Sequence, residues 1–203
     1  MDPNLKSQMD RIFQPRGVAV VGASPRPGNF GMRFLQNIVN CGHPRIYPIH
    51  PELKELLGLK VYSSVLDIPG EVDLVIVAAP ARTVPQVVLE CVQKGVAGVH
   101  IYTAGFGEAG EAGQRAQEEM VRLARSRGTR LIGPNCMGVA SPRGRVGAVA
   151  SQNGGSVALL SQSGYLFSMT IKLASDQGVG FNKMVSYGNA CELGAVDFLE
   201  YFG

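Results

Sequence analysis

One stretch, from Gly17 to Gly31, constrains the rest of the chain more than any other. Its first part, residues 18–21, is Val-Ala-Val-Val, with no place for a polar side chain. Such a run is expected at the centre of a parallel sheet, buried on both faces. A parallel strand needs a crossover before its neighbour, and a helix beginning at about Phe30 supplies one. Between strand and helix lie Gly22, Gly28 and Gly31, which let the backbone turn sharply. A turn of this kind aims N–H groups, and the positive end of the next helix, at one point. That arrangement suits a nucleotide phosphate.

The same alternation continues downstream. Residues 4–12 predict a short leading helix that Pro15 ends. Residues 30–41 predict a helix with Phe34, Leu35 and Ile38 on one face, and 45–49 a second strand. Residues 58–62 read as a short extended piece, and 73–78 as a third buried strand. Thr83 is expected to cap the next helix, with Pro85 in its first turn and Gly95 just past its end. A strand at 98–102, a mobile loop at 105–110, a charged helix at 111–127 and a fifth strand at 129–132 follow. Five strands alternating with helices predict a doubly wound α/β sheet, whose ligands lie beyond the carboxyl ends of the strands. The Gly-rich and Pro-rich turns all fall at those ends.

Near Ala140 the pattern breaks. We expect a first domain over 1–140, a linker over 141–154, and part of a second α/β domain over 155–203. The second begins with a strand at 157–160, the turn Ser161-Gln-Ser-Gly164 and a helix at 165–177. A strand at 183–186 and a helix at 193–202 complete it. Two strands and two helices amount to the first half of such a domain.

Composition excludes several classes. A net charge of +3 in 203 residues, with no dense Lys/Arg run, argues against nucleic-acid binding. The four cysteines, Cys41, Cys91, Cys136 and Cys191, form no C-x-x-C pair, so neither a zinc site nor a disulfide framework is expected. No apolar run is long enough to span a membrane, and the start of the chain has no apolar leader. A cytoplasmic location follows by elimination.

The first turn departs from the dinucleotide fingerprint G-x-G-x-x-G, because Ser24, Pro25, Arg26 and Pro27 fill its middle. Arg26 adds a charge that suits a phosphate. His50, rather than an acid that would grip a ribose diol, closes the second strand. Strand and helix therefore favour a nucleotide, and the loop disfavours ordinary NAD; a structural turn without ligand is the bland alternative. The second turn, at Ser161 and Ser163, lacks the G-x-S-x-G of a nucleophile elbow. It reads equally as a phosphoryl cradle at a helix start or as a Ser N-cap. Cys136, in a Gly/Pro/Asn turn, reads as a buried thiol before a nucleophile, and His100 as a satisfied core residue.

Taken in order, several segments carry a resemblance: Val20-Val-Gly-Ala-Ser24, Gly28-Asn29, His50-Pro51, Leu57-Gly-Leu-Lys-Val-Tyr62, Ala79-Pro80 and Thr103-Ala-Gly-Phe-Gly107. Gly133-Pro-Asn-Cys136, Ser161-Gln-Ser-Gly164 and Val185-Ser-Tyr-Gly-Asn189 continue it. The chain resembles the N-terminal part of the ADP-forming (NDP-forming) acyl-CoA synthetases, relatives of the succinyl-CoA synthetase α subunit. The resemblance implies a Rossmann-like CoA-binding domain followed by the first half of a flavodoxin-like ligase domain. It implies the reaction acyl-CoA + ADP + phosphate ⇌ acid + CoA + ATP, through an acyl phosphate and a phosphohistidine. Gly22, Ala23, Ser24, Arg26, Pro27, Gly28 and Asn29 would hold the phosphates of coenzyme A. His50, Pro51, Ala79, Pro80, Thr103, Ala104 and Gly105 would line the rest of the coenzyme. Asn135 and Cys136 would approach the thioester, and Ser161, Ser163, Gly164, Gly188 and Asn189 would cradle a phosphoryl group.

Where the family often has Asn-Pro-Lys, this chain has His50-Pro51-Glu52, with Lys54 the nearest base. None of His43, His50 and His100 lies in the phosphohistidine motif, so no catalytic residue and no metal site is assigned. ATP or ADP and Mg would bind through a missing ATP-grasp domain, carried by the remainder of the synthetase or by a partner subunit. A homo-oligomer is compatible with this. The chief alternative is a CoA-binding regulatory module, standing alone or fused to an acetyltransferase; an NAD(P)-binding redox domain is the third.

Overall fold

The computed structural model describes residues 1–147 and 154–203. The chain opens with α1 (Pro3–Phe13), capped by the Asp2 carboxylate, which accepts from the N–H of Asn4 and of Leu5. Next come β1 (Val18–Val21), α2 (Phe30–Asn40) and β2 (Ile46–Ile49), then a small hairpin of β3 (Glu55–Leu56) and β4 (Leu59–Lys60). After it run β5 (Leu74–Val77), α3 (Val84–Lys94), β6 (Gly98–Ile101), α4 (Glu111–Ser126) and β7 (Arg130–Ile132). The five long strands pair in parallel in the order β2-β1-β5-β6-β7.

The extended piece expected at 58–62 resolves into the hairpin and one further contact. Tyr62 bridges in parallel to Ile49, its N–H donating to the Pro48 carbonyl and its own carbonyl accepting from His50 N–H, both at 3.0 Å. Counted as a strand one residue long, Tyr62 makes the order 3-2-1-4-5-6. That is the Rossmann order, which reverses direction between β1 and β5 and opens its ligand crevice there. The register sets Val21, Ile49, Val77 and Ile101 level, so the turns after them emerge along one edge.

Alternate residues divide between two cores. Ala19, Val21, Val75, Val77, Val99 and Ile101 face α3 and α4, whose Val84, Val88, Cys91, Met120 and Ala124 cover them. Val18, Val20, Leu74 and Ile76 face the other way, onto Met9, Ile12 and Phe13 of α1 and Phe34, Leu35 and Ile38 of α2. The second unit joins this latter core.

That unit contains β8 (Gly138–Ala140), β9 (Gly154–Ser161), α5 (Gly164–Asp176), β10 (Phe181–Ser186) and α6 (Ala195–Phe202). Its sheet order is β8-β10-β9, with β9 and β10 parallel and β8 antiparallel to β10. Sequence reading did not anticipate β8, which lies directly after the Gly133–Met137 turn and belongs to the second sheet. Phe198 and Tyr201 of α6 pack on Phe13, and the Tyr201 hydroxyl donates to Asp10 at 2.8 Å. Ser141 and Val146 form a bridged turn in the stretch expected as a linker; residues 148–153 of that stretch lie outside the described residues. Among the described residues no helix is long and apolar enough to cross a membrane.

Candidate functional site

Gly22 leaves β1 with φ +90°, and a Cβ built on it would lie 2.5 Å from the Ala78 carbonyl oxygen. The first turn is thus pressed against the end of β5, at the reversal in strand order. Gly31 is as constrained: its Cβ would lie 2.6 Å from the Gly22 oxygen and 2.7 Å from Ala23 nitrogen. Helix α2 therefore starts in contact with the loop, as the last glycine of a phosphate-binding turn requires.

Asn29 ties the loop together. Its Oδ1 accepts from Met32 N–H (2.6 Å) and Ser24 N–H (3.2 Å), and its Nδ2 donates to the Gly22 carbonyl (3.1 Å). The side chain of Asn29 is thereby committed to shaping the turn. Ala23 and Ser24 are buried, while Arg26, Pro27 and Gly28 are exposed at the rim. Among the described residues, the first-turn N–H groups of Phe30 and Gly31 have no protein acceptor. Glycines that a Cβ would overfill, a helix start and an exposed Arg26 fit a phosphate-bearing coenzyme.

Across the crevice, Thr103 Oγ1 donates to the Ala79 carbonyl at 2.7 Å and so joins the turns after β5 and β6. Pro80, Ala104 and Gly105 are exposed on the same edge. His50 follows β2, with its Nδ1 accepting from Glu52 N–H at 3.2 Å and Pro51 exposed beside it. Thr83 does not cap α3 as expected; its hydroxyl donates to the Pro80 carbonyl instead.

The loop expected to be mobile is held by a carboxylate. Glu108 accepts from Gly105 N–H, from Phe106 N–H at 3.3 Å and from the Asn189 side-chain amide of the second unit. Phe106 is buried beneath it. Burial acts to raise the Glu108 pKa, but the hydrogen bonds from Gly105 and Asn189 prevail and hold it below the usual carboxylate value. Asn189 also donates to Gln117 at 3.2 Å, so its amide is engaged with protein groups.

Asn135 has φ +58°, and its N–H donates to the Thr103 carbonyl at 3.1 Å. Asn189 N–H donates to the Pro134 carbonyl and Cys191 N–H to that of Gly133, both at 3.0 Å. The second unit's turn is thereby laid along the first's. Cys136 is buried, and burial pushes its thiol well above the ordinary value, so it is neutral and unsuited to nucleophilic attack. His100, expected as satisfied, is only half so. Its Nε2–H donates to the Cys136 carbonyl at 3.1 Å, and Nδ1 has no partner. Burial pushes its pKa down to about 4, only partly offset by that carbonyl, which keeps the ring neutral.

At the start of α5, Ser163 Oγ accepts from Leu166 N–H at 3.3 Å, the ordinary N-cap bond. Ser161 Oγ donates to the Ser163 carbonyl at 2.9 Å, and Gln162 Nε2 to that of Gly188 at 3.4 Å. Gly164 abuts Met137. The geometry thus brings Ser161, Ser163, Gly164, Gly188 and Asn189 together and next to Asn135 and Cys136.

Between α2 and α5 lies a cleft of about 750 Å³. Its lining includes Phe30, Arg33 and Phe34 from α2, Gly164, Tyr165 and Ser168 from α5, and Tyr102, Asn135, Cys136 and Met137 from the turns. Sequence reading missed Phe30, Tyr102 and Glu108 as site residues. The signal for the two aromatics was their place at the first turn of α2 and the end of β6; Glu108 left none, because its role depends on the second unit.

Two family models match the chain: one described as a CoA binding domain over residues 16–142, and one described as a succinyl-CoA ligase like flavodoxin domain over residues 154–203. The α subunit of an ADP-forming acetate–CoA ligase II from Pyrococcus furiosus is 41% identical over 195 residues, 95% of this chain and 43% of that protein. A crystal structure of a Pyrococcus horikoshii protein has a TM-score of 0.90 at 38% identity, over 95% of this chain and 45% of that one. The dinucleotide-forming acetyl-coenzyme A synthetase 1 of Candidatus Korarchaeum cryptofilum, solved with phosphate and ADP, also gives 0.90, at 36% identity over 96% and 42%. The chain spans less than half the length of these relatives. By its order of domains and by these likenesses, it belongs to the ADP-forming acyl-CoA synthetase family, of which it comprises the CoA-binding domain and a flavodoxin-like stretch.

Proposed function

We propose that this chain binds coenzyme A for an ADP-forming acyl-CoA synthetase, which interconverts acyl-CoA, ADP and phosphate with acid, CoA and ATP. One observation carries the reading most: the loop from Gly22 to Asn29 sits at the reversal of strand order, where Gly22 and Gly31 leave no space for a side chain. The phosphates lie over this loop with Arg26 at the rim, and His50, Pro51, Ala79, Pro80 and residues 103–105 border the coenzyme. Its thiol end reaches Asn135 and Cys136, where the buried thiol packs and does not react.

Ser161, Ser163 and Gly164, with Gly188 and Asn189, form the phosphoryl side of the junction. His43 is buried, with Nε2 bonded to the Pro15 carbonyl and Nδ1 to Arg45 N–H, and His100 is locked behind Cys136. His50 lies at the coenzyme edge and, like the other two, outside the phosphohistidine motif that the resemblance implies; on this reading the phosphohistidine, and the ATP-grasp part that holds ADP or ATP and its Mg, come from outside these residues. Among the described residues no group of three or more metal-binding side chains occurs.

Isothermal calorimetry with CoA, dephospho-CoA and NAD tests the reading. CoA is expected to bind, with loss of the 3′-phosphate weakening it measurably. Preference for NAD over CoA refutes it.

A further inference from the structure

Three consecutive backbone N–H groups in the loop after β6 are taken by two side chains, and both side chains rest on one amide of the second unit. Glu108 Oε1 accepts from Gly105 and, at 3.3 Å, from Phe106, while Gln117 Oε1 accepts from Gly107 at 3.3 Å. Asn189 Nδ2 donates to Glu108 Oε2 and, at 3.2 Å, to Gln117 Oε1. Successive N–H groups in a turn make a concave array of donors that suits an anion. Here a carboxylate of the loop itself takes the first two.

Neither end of this linkage has slack. Asn189 N–H is bonded to the Pro134 carbonyl at 3.0 Å, and a Cβ on Gly188 would lie 2.3 Å from that same oxygen. A Cβ on Gly113 would lie 2.1 Å from the Phe106 carbonyl oxygen, so the start of α4 is pressed against the loop. Gly105, by contrast, is exposed, with φ +105°. Hydrogen bonding rather than burial therefore fixes its backbone, in a conformation that glycine adopts freely.

We propose that Glu108 is a positioning residue: with Asn189 as its outer partner, it holds residues 103–105 in the shape that receives coenzyme A. The second unit thereby contributes to an affinity whose contacts lie in the first. The proposal rests on the coenzyme reading above, and its test separates the two.

Calorimetry with CoA would be run on the native chain, on Asn189→Ala and Asn189→Asp, and on Asn189→Asp combined with Glu108→Gln. Amide hydrogen exchange at residues 105–107 would be followed by NMR in parallel. Asn189→Ala is expected to raise the Kd for CoA about fivefold, the loss of one bond to a charged group, and to speed exchange at those three residues. Asn189→Asp sets two carboxylates against each other and should raise it about tenfold or more. Adding Glu108→Gln restores an amide–carboxylate pair and is expected to recover about threefold of that loss. A residue that merely supports the fold would lower stability in each variant and show no such recovery in affinity. Should Asn189→Asp not fold, Asn189→Ala and the exchange rates decide. A native chain that binds CoA, with Asn189→Ala within about twofold of it, overturns the proposal alone. So does an Asn189→Asp loss that Glu108→Gln leaves undiminished. Unchanged exchange at residues 105–107 in Asn189→Ala overturns it whether or not CoA binds. Absence of CoA binding to the native chain removes the coenzyme reading and the proposal with it.

Discussion

Gly31→Ala is the sharpest perturbation of the coenzyme loop. The added methyl would stand 2.6 Å from the Gly22 oxygen and 2.7 Å from Ala23 nitrogen, where ordinary contact begins at 3.4 Å. Helix α2 must then withdraw from the loop by roughly 0.7 Å, because neither neighbour is a flexible side-chain end. A charge-assisted bond from the helix start to a phosphate, about 2.9 Å long, becomes about 3.6 Å and ceases to be one. Losing one or two such bonds costs about 1.5–3 kcal/mol each. The expected rise in Kd for CoA is thus at least about tenfold. Folding suffers less: crowding costs about 1–3 kcal/mol, offset by about 1 kcal/mol from replacing glycine with alanine in a helix. Calorimetry with CoA and a thermal melt would be run in parallel. Gly42→Ala, past the far end of α2, is the control, since its Cβ meets no protein atom within 4 Å, although φ is +69°. It is expected to lower stability by about 1–2 kcal/mol and to leave CoA affinity unchanged. A folded Gly31→Ala protein whose CoA affinity stays within about twofold refutes the placement of phosphate at this helix start.

Two other perturbations bear on the frame that holds the site. Asp73, fully buried, accepts from Arg11 Nε (2.7 Å) and from Arg16 through its backbone N–H (2.9 Å), Nε and Nη2 (both 2.8 Å). Burial opposes its ionisation, but these bonds outweigh it and bring the pKa from 3.8 to about 2. A pKa lowered on folding stabilises above the unfolded value and ceases to do so as pH falls through the folded one; about 2 kcal/mol is therefore present above about pH 4 and lost toward pH 2. Denaturant titrations at several pH values should show this loss in the native sequence and not in Asp73→Asn; matching pH profiles would count against it. Glu192, whose side chain is 1% exposed, accepts from Leu131 N–H (2.7 Å), Arg130 (2.8 Å) and Arg125 (3.4 Å), and so closes the open edge of β7. Glu192→Gln should cost about 3 kcal/mol in the same measurement, and a loss under about 0.5 kcal/mol would show that the edge is not held this way.

The elements that answer to local physics were legible in the chain. Four consecutive apolar residues at 18–21, with the same density at 74–77, can only sit inside a sheet covered on both faces, and both are buried throughout. Gly95 was placed as a stop, and it takes the left-handed conformation that ends α3. Failures came where a partner distant in sequence decides. Thr83 had the right residue type for a cap, but the Pro80 carbonyl was the nearer acceptor. Gly105 to Gly110 looked loose because three glycines carry no packing, and the carboxylate that fixes them is answered by Asn189, some eighty residues later. β8 has only three residues and no hydrophobic period; it exists because β10 arrives beside it. The stacking of Phe30 on Tyr102 in the cleft was hidden for the same reason, since the two meet only once α2 folds over the end of β6.

These distant contacts also explain why the candidate site lies where it does. The reversal of strand order alone would open a crevice on the first sheet and leave the thiol end of a coenzyme in water. On the proposed reading the second unit closes that end. Its turn at Gly188 and Asn189 is bonded to the Gly133–Asn135 turn through two backbone contacts, and Asn189 reaches Glu108 on the far side. The start of α5 is thereby brought against Met137. The turn proposed to meet the thioester and the proposed phosphoryl cradle are thus held together by these hydrogen bonds. On that reading a change in Glu108 or Asn189 is expected to alter the spacing between coenzyme and phosphoryl group without touching either, which makes that spacing a property of the junction and not of the two binding loops taken singly.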